Sequence, residues 1–213
     1  MTVHAAENSS GNDERLAPDY LAHWVVKTPR GQQMIAWYRE VFGARVIHED
    51  ARLVFMTWDE ESHRLAFGKV PGFLRFMFPF ARYRRKLLGV DHIGFTVRSL
   101  ERLLSNYERL KSVGITPVWC INHGPTTSMY YEDPDGNRLE FQVENFSTAE
   151  ETAEYMNGNA FAENPIGVNF DPDYLLERFR GGEDVKELTK QGAGTRPGTT
   201  ARVNKRALTW KTL

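Results

Sequence analysis

The sequence predicts an α+β fold made of two tandem βαβββ modules with a C-terminal helical and irregular extension. Three observations predict it. Between residues 21 and 70 the apolar pattern runs in the order strand, helix and three strands, and the same order returns between residues 90 and 143. In addition, Asp59-Glu60-Glu61-Ser62-His63-Arg64-Leu65-Ala66-Phe67 lies over Asp133-Pro134-Asp135-Gly136-Asn137-Arg138-Leu139-Glu140-Phe141, with Arg, Leu and Phe coinciding at one constant offset. Matching order together with matching residues indicates a duplicated module.

The first module is read over residues 19–71. Leu21 to Lys27 is a short apolar, β-branched run and is expected as a strand. From Gln32 to Phe42, Met34, Ile35, Trp37, Tyr38, Val41 and Phe42 recur at helical spacing, and Gly43 supplies a C-terminal stop. Strands are then expected at Ala44 to His48, Leu53 to Trp58 and His63 to Val70. The second module is read over residues 89–146. Its strand is Val90 to Val97, its helix runs from an N-cap at Ser99 to about Val113, and Gly114 ends it. Strands follow at Thr116 to Cys120, Thr126 to Tyr131 and, after a Pro134-Asp135-Gly136 turn, Leu139 to Val143.

Outside the modules, residues 1–18 are polar and read as a loose arm. The linker, 72–88, mixes aromatics (Phe73, Phe76, Phe78) with bases (Arg75, Arg82, Arg84), as a cover over a pocket mouth or a subunit contact would. The extension, 147–213, has helical stretches at Ala149 to Met156 and Tyr174 to Arg180. From Lys186 onward it becomes a basic, Gly- and Thr-rich tail, expected to be mobile or docked on another subunit.

Composition narrows the functional classes. With 27 Lys and Arg against 28 Asp and Glu, the chain offers no charge imbalance to attract nucleic acid or an anionic membrane. Cys120 is the sole cysteine, which rules out an internal disulfide framework and points to a reducing compartment. The absence of a long apolar run points to a soluble, cytoplasmic protein.

Of six histidines, His23, His63, His92 and His123 fall at corresponding or terminal positions of the expected strands. Two imidazoles and a carboxylate on three strands can occupy one face of an octahedral metal, leaving positions open for a chelating substrate and O2; such a set favours non-haem Fe(II). The duplication offers His23 and His92 from the paired first strands and Glu140 from the last strand of the second half. Glu140 also interrupts an apolar strand (Leu139, Phe141, Val143), where an unpaired charge is costly and a metal would remove that cost. A strand histidine is more often structural, and a strand glutamate is more often its solvent face, so spacing alone leaves both readings open. His4 and His48 have no such placement and read as structural or solvated.

Residues 21–146 resemble the vicinal-oxygen-chelate superfamily, which includes glyoxalase I, bleomycin-resistance proteins and type I extradiol dioxygenases. Ile121-Asn122-His123, then five residues and Met129-Tyr130-Tyr131-Glu132-Asp133-Pro134-Asp135-Gly136-Asn137-Arg138-Leu139-Glu140, is similar to the specific signature of the extradiol dioxygenases. This resemblance implies that the two modules form one incomplete barrel around a metal site, as in the one-domain members of the group, which often form homo-oligomers. It implies His23, His92 and Glu140 as ligands of Fe(II), with Mn(II) compatible with the same donors. It implies a catechol-type aromatic diol and O2 as substrates, with meta ring cleavage. Tyr130 would hydrogen-bond a substrate oxygen, His63 would serve as base and then acid, and His123 would orient the diol or assist protonation.

Two rivals stay in view. A glyoxalase-like metal isomerase or lyase would take a carboxylate from the last strand of each half, but the first-half counterpart of Glu140 is Ala66, which cannot ligate. A non-catalytic protein that sequesters an aromatic compound would need no metal at all.

Overall fold

The computed structural model describes residues 18–77 and 89–199. The N-terminal arm but for its last residue, residues 78–88 of the linker and residues 200–213 of the basic tail lie outside them.

The expected duplication is present. In the first module β1 (Trp24–Thr28) is followed by α1 (Gly31–Phe42), β2 (Arg45–Glu49), β3 (Leu53–Thr57) and β4 (Leu65–Lys69). In the second, β5 (His92–Thr96) is followed by α3 (Leu100–Ser112), β6 (Trp119–Asn122), β7 (Thr126–Glu132) and β8 (Arg138–Glu144). A one-turn helix, α2 (Leu74–Met77), opens the linker. Each module forms its own open sheet, ordered β1-β4-β3-β2 and β5-β8-β7-β6-β9. In both, the first strand runs parallel to the last.

Local sequence accounts for the helix ends. Gly43 takes the left-handed conformation at φ 65° and closes α1. The Ser99 hydroxyl accepts from the Arg102 N–H at 3.2 Å and opens α3. Alternation accounts for the sheet faces. In sheet one Leu65, Phe67, Val54 and Met56 point inward onto Met34, Ile35 and Tyr38 of α1. In sheet two Met129, Tyr131, Phe141 and Val143 point inward onto Leu103, Leu104, Tyr107 and Leu110 of α3. The two cores meet through the aromatic rings of Trp37, Phe42 and Phe95, which pack against both.

The extension is more built than its sequence suggests. Beyond α4 (Ala149–Met156) and α5 (Asn159–Glu163), Val168–Asn169 forms β9 and pairs antiparallel with β6 at the edge of sheet two. Helix α6 (Pro172–Arg180) then lies on α3, and α7 (Val185–Leu188) buries Leu188 in the second core. Up to residue 199 the tail is therefore docked on its own chain. The Asn122 side chain donates to the Thr189 carbonyl at 2.6 Å, and the Asp171 N–H donates to the Gly194 carbonyl at 2.9 Å.

Candidate active site on the open face of sheet two

A row of side chains crosses the open face of sheet two, set by register: Gly94 on β5, Glu140 on β8, Tyr130 on β7 and Trp119 on β6. His92 stands two residues from Gly94 on the same face of β5, and His123 follows the end of β6. Four of the six expected site residues are thus brought together. His92 Nε2 lies 3.1 Å from Glu140 Oε2, and His123 Nε2 lies 4.0 Å from Glu140 Oε1. The Tyr130 ring stacks on Trp119 at 4.7 Å, giving the site a flat aromatic wall.

Each imidazole is oriented from behind. His92 Nδ1 sits 2.8 Å from an oxygen of Asp91, so its Nε2 faces Glu140. His123 Nδ1 donates to the Ile166 carbonyl at 2.6 Å, so its Nε2 can accept from the Tyr130 hydroxyl at 3.0 Å. The carbonyl comes from the extension. Gly167, at φ 108°, permits this approach, because a Cβ there would stand 2.2 Å from the Asn122 carbonyl oxygen.

Glu140 is 5% exposed. Burial works to raise its pKa, yet the hydrogen bond with His92 and the Ser128 and Tyr130 hydroxyls outweigh burial and leave it below the usual carboxylate value. That same Glu140 contact raises the His92 imidazole, against the opposing effect of desolvation. Burial lowers the pKa of His123, which keeps it neutral and able to accept a proton. Burial and the Glu140 charge push the Tyr130 hydroxyl upward, so it stays a donor.

His23 and His63 lie elsewhere. Their rings lie 4.4 Å apart at a 33° tilt, and His63 packs edge-on against Phe55 of β3 at 4.9 Å. Both stand just ahead of their strands, because the ladders begin at Trp24 and Leu65. Among the described residues no three His, Cys, Asp or Glu side chains are gathered closely enough to hold an ion. The donor chemistry still fits the implied metal. His92 has the arrangement of a ligating imidazole, with one nitrogen on a carboxylate and the other facing a second donor, and a buried anion lies beside it. Of the three expected donors, His92 and Glu140 lie side by side and His23 lies apart from them.

The structure adds residues that the sequence reading passed over. Asp91, which directs His92, was legible as a carboxylate one position before it. Gly94 was legible from register, since its missing side chain leaves room for Glu140: a Cβ would lie 3.2 Å from Oε2. The arginine of each repeated Arg-Leu-x-Phe segment also gains a role. Arg64 donates to the carbonyls of Leu21 and Ala22 at 2.9 and 3.2 Å, while Arg138 faces Asp91 at 3.4 Å, so each braces the segment that carries its module's first histidine. The Ile166 carbonyl had no sequence signal, because any residue supplies a carbonyl.

A pocket of about 340 Å³ opens beside His92, walled by Trp24, Val25, Ile93 and Leu139. A larger cleft of about 1110 Å³ lies at the module junction and contains none of the six expected site residues. No helix among the described residues is long and apolar enough to cross a membrane.

Residues 20–141 match the family model described as the Glyoxalase/Bleomycin resistance protein/Dioxygenase superfamily. Biphenyl-2,3-diol 1,2-dioxygenase 2 of Rhodococcus globerulus is 44% identical over 168 residues, covering 79% of this chain and 85% of that protein. Biphenyl-2,3-diol 1,2-dioxygenase 3 of the same organism is 41% identical over 170 residues, covering 79% of this chain and 86% of that protein. Among solved structures, lactoylglutathione lyase from Agrobacterium tumefaciens aligns with a TM-score of 0.46 at 18% identity, covering 59% of this chain and 94% of that one.

Proposed function

This chain belongs to the glyoxalase/bleomycin resistance protein/dioxygenase superfamily and is an extradiol ring-cleavage dioxygenase, and we propose that it acts on a biphenyl-2,3-diol or a similarly substituted catechol through the His92–Glu140 site. The name of the relatives describes the chemistry: oxygen enters between carbons 1 and 2, beside the hydroxyl-bearing pair rather than between its members. Diol and O2 combine into a ring-opened keto acid that contains both oxygen atoms, and no reductant is consumed.

The observation that carries the assignment is the 3.1 Å contact between His92 Nε2 and the buried Glu140 carboxylate. We take His92, Glu140 and His23 as the residues that hold Fe(II), for which Mn(II) would be a compatible replacement. A bound Fe(II) would supply Lewis acidity toward the diol and electrons toward O2.

The chain's own side chains do the rest. Glu140 is buried and His92 stands beside it at the open edge of β5, aimed by Asp91. The Tyr130 hydroxyl, kept protonated, donates to a substrate oxygen entering beside His123. His123, held neutral and pinned through Nδ1, holds or receives a proton at Nε2. Trp119 and Tyr130 offer flat faces to an aromatic ring. His63 is the residue we assign to take the hydroxyl proton and return it as the ring opens, and it sits against His23 rather than Glu140. The cytoplasm suits the protein, since Cys120 would stay reduced there.

The test is oxygen uptake by anaerobically Fe(II)-loaded protein given biphenyl-2,3-diol and catechol, with visible absorbance followed in parallel. We expect equimolar uptake, a yellow product, and neither with Glu140→Ala. Iron-loaded protein that consumes no O2 would favour a metal isomerase, a reading already weakened because Ala66, 2% exposed on β4, leaves that half without a carboxylate. Protein that retains no metal would favour a binding module.

A further inference from the structure

We propose that Trp119, held in place by Asn169 of the extension, selects diols that carry a second aromatic ring. This rests on the dioxygenase reading above and deepens it by naming the residue that chooses among substrates.

The first observation is distance along the row. Glu140, Tyr130 and Trp119 sit opposite one another on β8, β7 and β6. Neighbouring strands lie about 4.8 Å apart, so β6 runs roughly 10 Å from β8. A single ring bound through its two oxygens beside His92 and Glu140 reaches over the first of these spacings. A second ring, attached next to a hydroxyl-bearing carbon, reaches the next, where Trp119 stands.

The second observation is which aromatic surface is open. Tyr130 is 2% exposed, with the indole stacked on it at 4.7 Å and 26°. Trp119 itself is only half-buried. It therefore presents most of the flat apolar area that the pair offers, and such an area favours an offset-stacked or edge-on aromatic partner. A diol with one ring gains little from it.

The third observation is rigidity. The indole N–H donates to Asn169 Oδ1 at 2.9 Å, and the His123 ring meets the indole edge-on at 5.8 Å. Asn169 is fixed in its turn. It pairs with Ile121 as β9 lies along β6, and the next residue, Phe170, donates its N–H to the Cys120 carbonyl at 3.2 Å. The extension thus clamps the indole at its nitrogen while Tyr130 supports one face. A ring already ordered loses little freedom when a ligand meets it, the condition under which stacking adds to affinity.

The decisive comparison is between two diols on the same protein. Oxygen uptake by the iron-loaded protein gives kcat and KM, and anaerobic equilibrium dialysis gives dissociation constants, for biphenyl-2,3-diol and for catechol. Wild type is expected to favour biphenyl-2,3-diol. Trp119→Leu keeps apolar bulk without the flat face. It should weaken biphenyl-2,3-diol roughly three- to tenfold, through KM rather than kcat, with catechol changed less than about twofold. Trp119→Phe should retain most of the preference. Asn169→Leu, which takes the acceptor from the indole, should lose part of it, and Asn169→Asp, which still accepts, should restore it. A loss shared equally by both diols would make Trp119 a structural anchor for the extension and overturn the inference. So would an unchanged ratio, the result expected if the second ring lodges in the pocket beside His92 instead. If Trp119→Leu fails to fold, the two Asn169 variants decide by the same ratio. Wild-type protein that holds iron and cleaves neither diol would instead overturn the dioxygenase reading itself.

Discussion

At the scale of single residues, the proposed site rests on how little freedom Glu140 has beside His92. Gly94 faces the carboxylate in register, and an added methyl would come within 3.2 Å of Oε2. Gly94→Ala is therefore expected to leave thermal stability near wild type while weakening iron retention about tenfold, the loss typical of a disturbed supporting residue, as read by competition with a chelator. Asp91→Ala should lower iron affinity to a similar degree, because His92 Nδ1 would lose the carboxylate that directs its partner nitrogen. The sequence carried most of this site, His123, Tyr130 and Glu140 in its motif and His92 in the duplication, and the four meet. What it could not carry was the position of His23 relative to them, since that depends on how one module sits against the next and not on spacing within either. Burial is equally unreadable from one position. Burial first, and then the Asp171 and Asp173 charges, push the Cys120 thiol up to about 12, so it stays protonated near neutral pH. The folded protein should resist alkylation there until denaturant is added.

At the scale of elements, periodicity located the helix and strands of each module and two helices of the extension, while the short helices α2, α5 and α7 and strand β9 went unannounced. The strand expected from Thr116 begins at Trp119, because Pro117 has no N–H to give the ladder and the first pairing with β7 is the Val118 N–H to the Tyr130 carbonyl. The helix expected from Tyr174 begins at Pro172, since the Asp171-Pro172 pair is a start signal in itself. Strand β9 is two residues long and exists by its placement against β6, so no local pattern announces it. The start of α6 carries a prediction. The Asp171 side chain accepts from the N–H groups of Asp173 and Tyr174 and pairs with Arg196 at 2.6 Å. Burial would raise its pKa, but Arg196 and these N–H donors outweigh burial and hold it below 3.8. A depressed carboxylate adds stability that is full above its unfolded value and lost as the pH falls from there through the folded one. Asp171→Ala should cost about 1 kcal/mol near neutrality, as loss of an N-cap does. The difference from wild type in urea midpoints should shrink below pH 3.8; a gap that stays constant down to pH 2 would show that the charge contributes nothing.

At the scale of the whole molecule, the two modules are joined so that neither core is complete alone. Phe42 lies within ring contact of Trp58 on its own module and of Phe95 and Phe141 on the other, at 4.7, 5.0 and 5.1 Å. Polar contacts reinforce the junction: the Tyr38 hydroxyl donates to Asp133 at 3.2 Å, and Arg30 bonds the Pro134 carbonyl and Asp135 at 2.8 Å each. Thermal unfolding is expected as a single transition despite the internal repeat. Phe42→Ala should lower stability by about 3 kcal/mol, as truncating a packed aromatic ring does, and the transition should stay single because both modules lose the same contact. Two resolved transitions in the variant, with one module melting at the wild-type temperature, would show that the modules fold independently. In that case the separation of His23 from Glu140 would be a property of a loose hinge rather than of the fold. A single, shifted transition would instead mean that the two modules melt as one unit across the Phe42 contacts.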